Sequence, residues 1–462
     1  MRLIKDKSFL CFLSVALVFL ILKILELRFK FSDGFTYMYM GRMILDGLVP
    51  YKDFFFASPP LQIYLMAFGE LFTGGNFLFL KLIPIISAVG SSFFIYSYMR
   101  KKFNGSYGLL ASALFLFSLL VLLTTDYSTG ISITVFFILG MVYFAEGDKP
   151  FMAGIFGSLA LLTRLYAPLP IAGTVLYYFI YRRKEIWRFI AGVLVLFLPI
   201  SLIFEIISRG AYLSQIFFFR LHLISGIGLS KWNVVSFFII GDIMLVFGSL
   251  VYFMFDKEKR KMILPILATA FSLLLYIFYS DIYYLYFGLI IAFLAMFTAK
   301  FIFEFDGFQN FRKILIVLVV LLVVINSSIY LSSYATASNM PFTNDLVNFV
   351  KINSSPNETI YGNFQVAPLI SLLSGRHLAA NIADTNPKNI MTNTFNISSI
   401  EDKIAGVKFI IEKGNVLSDG TLTGFDDSTP LSYMQKNCTL VKTYFIENDL
   451  SGNNFVGVWE CK

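Results

Sequence analysis

The sequence predicts a polytopic α-helical membrane protein of about eleven transmembrane helices, with a small C-terminal extracytoplasmic α/β domain. Three observations carry this. Of the 462 residues, 57% are hydrophobic and only 14% charged, where soluble domains run nearer a quarter. Apolar runs recur at lengths that reach or approach the thickness of a hydrocarbon core. After about residue 335 the composition turns to Asn, Ser, Thr and Asp with short apolar runs.

The apolar segments fall at 8–28, 77–98, 108–124, 128–145, 150–163, 166–181, 187–207, 233–255, 262–279, 283–299 and 313–334. The first has a charged start and an apolar core, as a signal peptide does. No small-residue cleavage site follows Leu27, so it reads as a retained helix. The pair at 150–181 is interrupted by Arg164, Pro168 and Pro170, which either kink a helix or mark a loop between two.

The net charge of +8 does not point to nucleic acid, because the Lys and Arg residues cluster in short loops between apolar runs. The N-terminus with Arg2, Lys5 and Lys7, then Arg100–Lys102, Arg182–Lys184, Lys257–Lys261 and the end of 300–313 are basic. With eleven crossings and the N-terminus cytoplasmic, all of them fall inside. The segments around Asp33–Gly75, Asp126, Ser208–Trp232 and Ser280–Tyr284, and everything after Tyr334, then lie outside. This describes a multi-pass protein of the plasma membrane whose C-terminal domain is extracytoplasmic.

The chain therefore divides into 1–334, a transmembrane region with an outer loop at 29–76, and 335–462, an α/β domain. In the latter, Thr359–Tyr361, Val407–Glu412 and Phe455–Trp459 read as strands, and Asp345–Lys351 and Ala367–Leu373 as helices. Four glycosylation sequons, at Asn353, Asn357, Asn396 and Asn437, are compatible with an outer location. Cys438 and Cys461 lie in the same region, where a disulfide and two free thiols are both open; Cys11 reads as a small apolar residue of the first helix. Neither a zinc spacing nor a P-loop, Rossmann glycine pattern or HExxH occurs.

The stretch Asp33–Leu61 stands out. It is polar, aromatic and proline-punctuated, follows the first helix directly, and carries Asp33, Asp46 and Asp53. Charges at the edge of a bilayer are costly to keep, so each carries a functional hypothesis beside a structural one. Asp33 is either a catalytic carboxylate or the N-cap of an amphipathic helix over Gly34–Leu45. Tyr51, Lys52 and Asp53 lie in an aromatic turn closed by Ser58-Pro59-Pro60, as site residues or as loop. Asp126, in Thr124-Thr125-Asp126-Tyr127, is a second acid or an interfacial cap. Arg164 wants an anion, whether substrate or a partner such as Asp126. Arg220 and His222 are either phosphate contacts or interfacial side chains that snorkel. Asp281 and Tyr283–Tyr286 form an anchor or a site wall, and Asp242 a contact between buried helices.

The run Asp33…Gly47-Leu48-Val49-Pro50-Tyr51-Lys52-Asp53-Phe54-Phe55…Pro59-Pro60-Leu61 resembles the first outer loop of GT-C fold glycosyltransferases that use polyprenyl-phosphate sugars. The protein O-mannosyltransferases (glycosyltransferase family 39) and the lipid A aminoarabinose transferases are the most similar groups. Leu162-Thr163-Arg164 resembles the family's Leu-Thr-Lys/Arg motif, and Tyr283–Ala295 its aromatic late helix. The resemblance implies an inverting transferase, hexosyl- or mannosyltransferase-like, that moves a sugar from a polyprenyl or dolichyl phosphate to a protein, glycan or lipid of the cell envelope. Asp33 would be the general base, with Asp53 and Asp126 as further candidates. Lys52, Arg164, Arg220 and His222, with Tyr51 and Tyr283, would face donor phosphate and sugar. No cofactor is required, because cations can stabilise a phosphate leaving group, and a metal stays open, since metal-dependent oligosaccharyltransferases share the fold. Membrane lipids are partners and nucleic acid is not. One departure is that many members carry an acidic pair where this chain has Asp33-Gly34. The rival readings are a transporter or flippase of lipid-linked sugars, and a non-catalytic assembly subunit.

Overall fold

The computed structural model describes residues 7–219, 230–256, 258–279, 282–304, 309–336, 340–392, 395–417, 421–446 and 453–462. The apolar segments are helical: α1 Lys7–Leu25, α4 Leu82–Lys102, α5 Gly105–Leu116, α6 Leu119–Thr124, α7 Ile131–Glu146, α8 Pro150–Thr163, α9 Pro168–Tyr181, α10 Ile186–Ile207, α11 Lys231–Gly241, α12 Ile243–Phe255, α13 Ile263–Phe278, α14 Gly288–Glu304 and α15 Gln309–Thr336. Between α1 and α4 lie α2 Gly34–Leu45 and α3 Leu61–Glu70. Among the described residues, six helices are long and apolar enough to cross a membrane alone. The α11–α12 pair makes a seventh, bent by 83°, and α5, α7, α8 and α9 are apolar but shorter.

Two of the expected spans are broken, each for a local reason. The segment 108–124 stops at Phe117, and Ser118 restarts the chain as the N-cap of α6, its Oγ accepting from the Val121 N–H. The segment 233–255 breaks at Asp242, whose carboxylate accepts from the backbone N–H groups of Leu119 (2.9 Å) and Leu120 (3.1 Å). One buried acid thus ends α11 and satisfies the first orphan donors of α6. The pair at 150–181 is two helices, with Arg164 in extended conformation between α8 and α9.

The C-terminal region forms a mixed sheet of β1 Thr359–Gly362, β2 His377–Leu378, β3 Phe409–Val416, β4 Leu422–Thr423, β5 Cys438–Phe445 and β6 Phe455–Cys461. The strand order is β2-β1-β3-β6-β5, with β4 added to β3; β1 pairs in parallel with β2 and β3, and β6 antiparallel with β3 and β5. Side chains alternate between two cores, as a period of two requires. Phe409 and Ile411 enter one, Ile410 the other. The second core is covered by Ile400 and Met434, from helices Ile397–Lys403 and Leu431–Asn437. Cys438 and Cys461, opposite one another in the β5–β6 register, form a disulfide.

The first core does not end at the sheet. It joins Leu346, Val350, Ile370 and Ile411 of the C-terminal region to Phe31, Phe35, Met38 and Met43 around α2. Hydrogen bonds fix the register of this contact: Thr36 Oγ1 donates to the Phe364 carbonyl (2.8 Å), and the Leu378 N–H donates to Tyr39 Oη (2.8 Å).

Replacing Asp242 by Ala strands two buried N–H donors, each worth about 1–3 kcal/mol. A thermal-unfolding assay in detergent should show a clear fall in the apparent transition for Asp242→Ala and a smaller one for Asp242→Asn, which keeps an acceptor.

Candidate active site

Asp33 sits at the N-cap position of α2, yet its side chain makes no capping hydrogen bond. Its backbone is helical (φ −61°, ψ −15°) and not in the extended conformation of a capping residue, while Ser32 Oγ accepts from the Gly34 N–H at 2.9 Å. The Asp33 carboxylate lines a cavity of about 140 Å³ with Tyr37, Ser58, Arg164, Tyr283 and Lys388. Its surface is open to this cavity, while protein encloses the group on the wider scale. That enclosure raises its pKa from the ordinary carboxylate value; a hydrogen bond from Gln365 and the charges of Lys388 and Arg164 oppose the rise.

Cations line the same cavity. Arg164 is only 5% exposed, donates from Nη1 to Ser58 Oγ at 3.0 Å, and lies over the Tyr37 ring at 5.1 Å. It can turn inward because α8 ends one residue before it and three turn residues separate it from α9. Burial pushes the Tyr37 hydroxyl pKa up, with Arg164 opposing and Asp33 and Asp384 reinforcing the shift. Lys388 lies over the Tyr283 ring at 4.5 Å and donates to its hydroxyl. The cavity thus gathers carboxylates, a guanidinium and an ammonium, with three phenols, those of Tyr37, Tyr283 and Tyr286, in its lining.

The other expected residues are placed elsewhere. Tyr51 is buried with φ +69°; its hydroxyl donates to the Ser58 carbonyl (2.7 Å) and its ring packs edge-on against Tyr212. Asp53 Oδ2 accepts from the Val49 N–H at 2.8 Å, closing the aromatic turn. Lys52 points outward, 56% exposed, 3.9 Å from the Asp53 carboxylate. Tyr51, Lys52 and Asp53 line a second cavity, not that of Asp33. Asp126 does not line the Asp33 cavity; it accepts from buried Lys23 at 2.8 Å and lies 3.7 Å from Lys81. Arg220, His222 and Asp281 lie outside the described residues.

The absence of an acidic pair at 33–34 has a steric cause. A Cβ at Gly34 would stand 2.9 Å from Ser32 Oγ and 3.2 Å from the Ser128 backbone nitrogen. A second carboxylate nevertheless reaches the cavity, Asp384, together with Asn386, Lys388 and Asn389 from the C-terminal region. Sequence reading missed these four. They lie more than 300 residues from Asp33 in a polar, Asn-rich stretch where such residues are ordinary. It also missed Gln215, whose amide accepts from the Phe56 N–H and donates to the Tyr51 carbonyl, both at 2.9 Å, and so pins the aromatic turn.

A carboxyl with a raised folded-state pKa ionises less readily in the folded than in the unfolded chain, so its contribution to stability falls as pH rises from the ordinary value through the folded one. Asp33→Asn should therefore match or exceed wild type in thermal stability at neutral pH. The advantage should shrink on acidification when both are followed by a detergent melt.

No protein-family model and no curated protein matches the chain. Solved structures do. ArnT from Cupriavidus metallidurans bound to undecaprenyl phosphate aligns over 97% of both chains, with a TM-score of 0.65 and 13% identity. The archaeal oligosaccharyltransferase AglB from Archaeoglobus fulgidus, in complex with an inhibitory peptide and a dolichol-phosphate, covers 91% of this chain and 74% of its own, with a TM-score of 0.60 and 13% identity. The arabinofuranosyltransferase AftD from Mycobacteria covers 97% of this chain and 41% of its own, with a TM-score of 0.54 and 12% identity. The chain is a multi-pass membrane protein with the GT-C fold, bearing a small C-terminal sheet region.

Proposed function

We propose that this chain is a membrane glycosyltransferase that moves a sugar from a polyprenyl- or dolichyl-phosphate donor to an acceptor, with inversion at the anomeric carbon. The observation that carries the reading is the Asp33 carboxylate, not engaged in capping and lining a small cavity together with Arg164 and Lys388. The fold supports it, since ArnT was solved with undecaprenyl phosphate and AglB with dolichol-phosphate. Asp33 removes the proton of an acceptor hydroxyl or amine as that atom bonds to the anomeric carbon. The bond from that carbon to the phosphate oxygen breaks, and its electron pair leaves with the lipid phosphate. Arg164 and Lys388 stabilise the charge that develops there, fixed in place before reaction. Transfer of a hexose such as mannose, at the outer face and with the N-terminus cytoplasmic, completes the reading. A cavity of about 140 Å³ suits the reacting groups of such a transfer and is narrow for passage of a whole lipid-linked sugar, as a flippase would need.

The test is sugar transfer in membranes expressing wild type or Asp33→Asn, with a panel of polyprenyl-phosphate sugars. Loss of the base should lower the rate by about two to four orders of magnitude at equal protein level. Equal rates would remove Asp33 from the chemistry. Because its pKa is raised, wild-type transfer should fail on the acid side at a pH above that of an ordinary aspartate, as the base becomes protonated.

Arg164→Gln removes charge-assisted contacts to the leaving phosphate, worth about 1.5–3 kcal/mol. This predicts a fall of roughly 10–150-fold in kcat/KM, with Asp33's acid limb still visible in the pH profile.

A further inference from the structure

The larger of the two outer cavities, about 550 Å³, lies between the aromatic turn of the first loop, the short helical stretch Ser214–Phe218 and the C-terminal region. Its volume falls within the range of whole-ligand pockets, about 300–1,000 Å³. It shares Phe219 and Asp384 with the Asp33 cavity, so the two spaces meet at a common wall.

The chemistry of this cavity is distinctive. Phe55 is flanked edge-on by Phe219 at 5.3 Å and Phe395 at 5.4 Å, which makes one wall a cluster of rings from three parts of the chain. The charged lining residues among those described are two lysines, Lys52 and Lys403, and two aspartates, Asp53 and Asp384, so their formal charges cancel. Asp384 is held by its own turn: its Oδ1 accepts from the Asn386 N–H at 3.1 Å, and its carbonyl from Asn389 Nδ2 at 2.7 Å. Asn381 lines the cavity from a left-handed turn in which Ala380 has φ +51° and Asn381 φ +57°. Two successive non-glycine residues in that region carry strain of a kind that gathers at ligand clamps.

Among the described residues, a lining whose charges cancel, with carboxylate and amide groups beside aromatic rings, matches a hydroxyl-rich neutral ligand. Hydroxyls pair with the polar groups, and the C–H faces of a sugar ring pack on the aromatics. An anionic lipid headgroup would need net positive charge, and an acyl chain a continuous apolar wall. We propose that this cavity binds the acceptor as a neutral saccharide of one or two sugar units, whose reacting hydroxyl passes between Asp384 and Phe219 to Asp33. The proposal rests on the glycosyl-transfer reading and narrows its acceptor to a glycan.

The test is saturation-transfer-difference NMR on the full chain in nanodiscs, with mannobiose, galactobiose, cellobiose and chitobiose as probes. At least one should give a signal with wild type and keep it in Asp33→Asn, since binding is separate from chemistry. That signal should drop at least fivefold in Phe395→Ala and in Asn381→Gly; the glycine keeps the left-handed turn while removing the amide. The proposal is overturned if no disaccharide binds wild type, or if binding is unchanged in both cavity variants. It is also overturned if a peptide or a phosphorylated glycolipid competes the disaccharide away through contacts that Phe395→Ala does not affect. Sugar transfer with no disaccharide binding would sink this inference alone. Binding that follows the cavity variants, with no transfer from any donor, would sink the transferase reading and leave a saccharide site.

Discussion

The arrangement depends on one apolar contact, between α2 of the first outer loop and the C-terminal sheet region. Phe31, Phe35 and Met38 share a core with Leu346, Ile370 and Ile411, so neither side has a complete interior without the other. Burial of each such side chain contributes about 1.5–3 kcal/mol, and polar contacts such as Thr36 to Phe364 then set register more than strength. The same contact roofs the Asp33 cavity. The walls supplied by Asp384 and Lys388 exist only because the sheet is docked. The C-terminal region in this sense completes the candidate cavity.

Much of the fold was legible in the sequence because bilayer solvation writes itself into composition. Apolar length places helices, and the short apolar run Val407–Glu412 places a strand, while its burial between two cores is visible only in the structure. Helix α2 begins and ends where its sequence says, with Gly47 at φ +90° just beyond its C-cap. The breaks were less legible. Asp242 and Ser118 interrupt helices by satisfying donors across space, and hydrophobicity does not record which donor an acid will find.

The site divides the same way. Asp33 and Arg164 were readable because a lone charge at a membrane edge is conspicuous. Their assigned companions were not. Asp53 closes its own turn and Asp126 belongs to lysines, whereas the residues that do face Asp33 come from a polar region where one more Asp or Lys carries no signal. Asp33 shows how fine the distinction is: it stands at the N-cap position of α2 with a helical backbone, and its carboxylate takes no part in the cap.

The buried ion pair of Lys23 and Asp126 bears on how the protein is made. The partners are 103 residues apart. At about 5–20 residues per second of synthesis, Lys23 emerges roughly 5–20 s before the carboxylate that neutralises it. During that interval α1 must hold its ammonium at the interface by reaching along its own stem. Pairing then draws α1 against the end of α6, where Lys23 also donates to the Leu122 carbonyl, so late neutralisation of one lysine helps time the assembly of the first bundle.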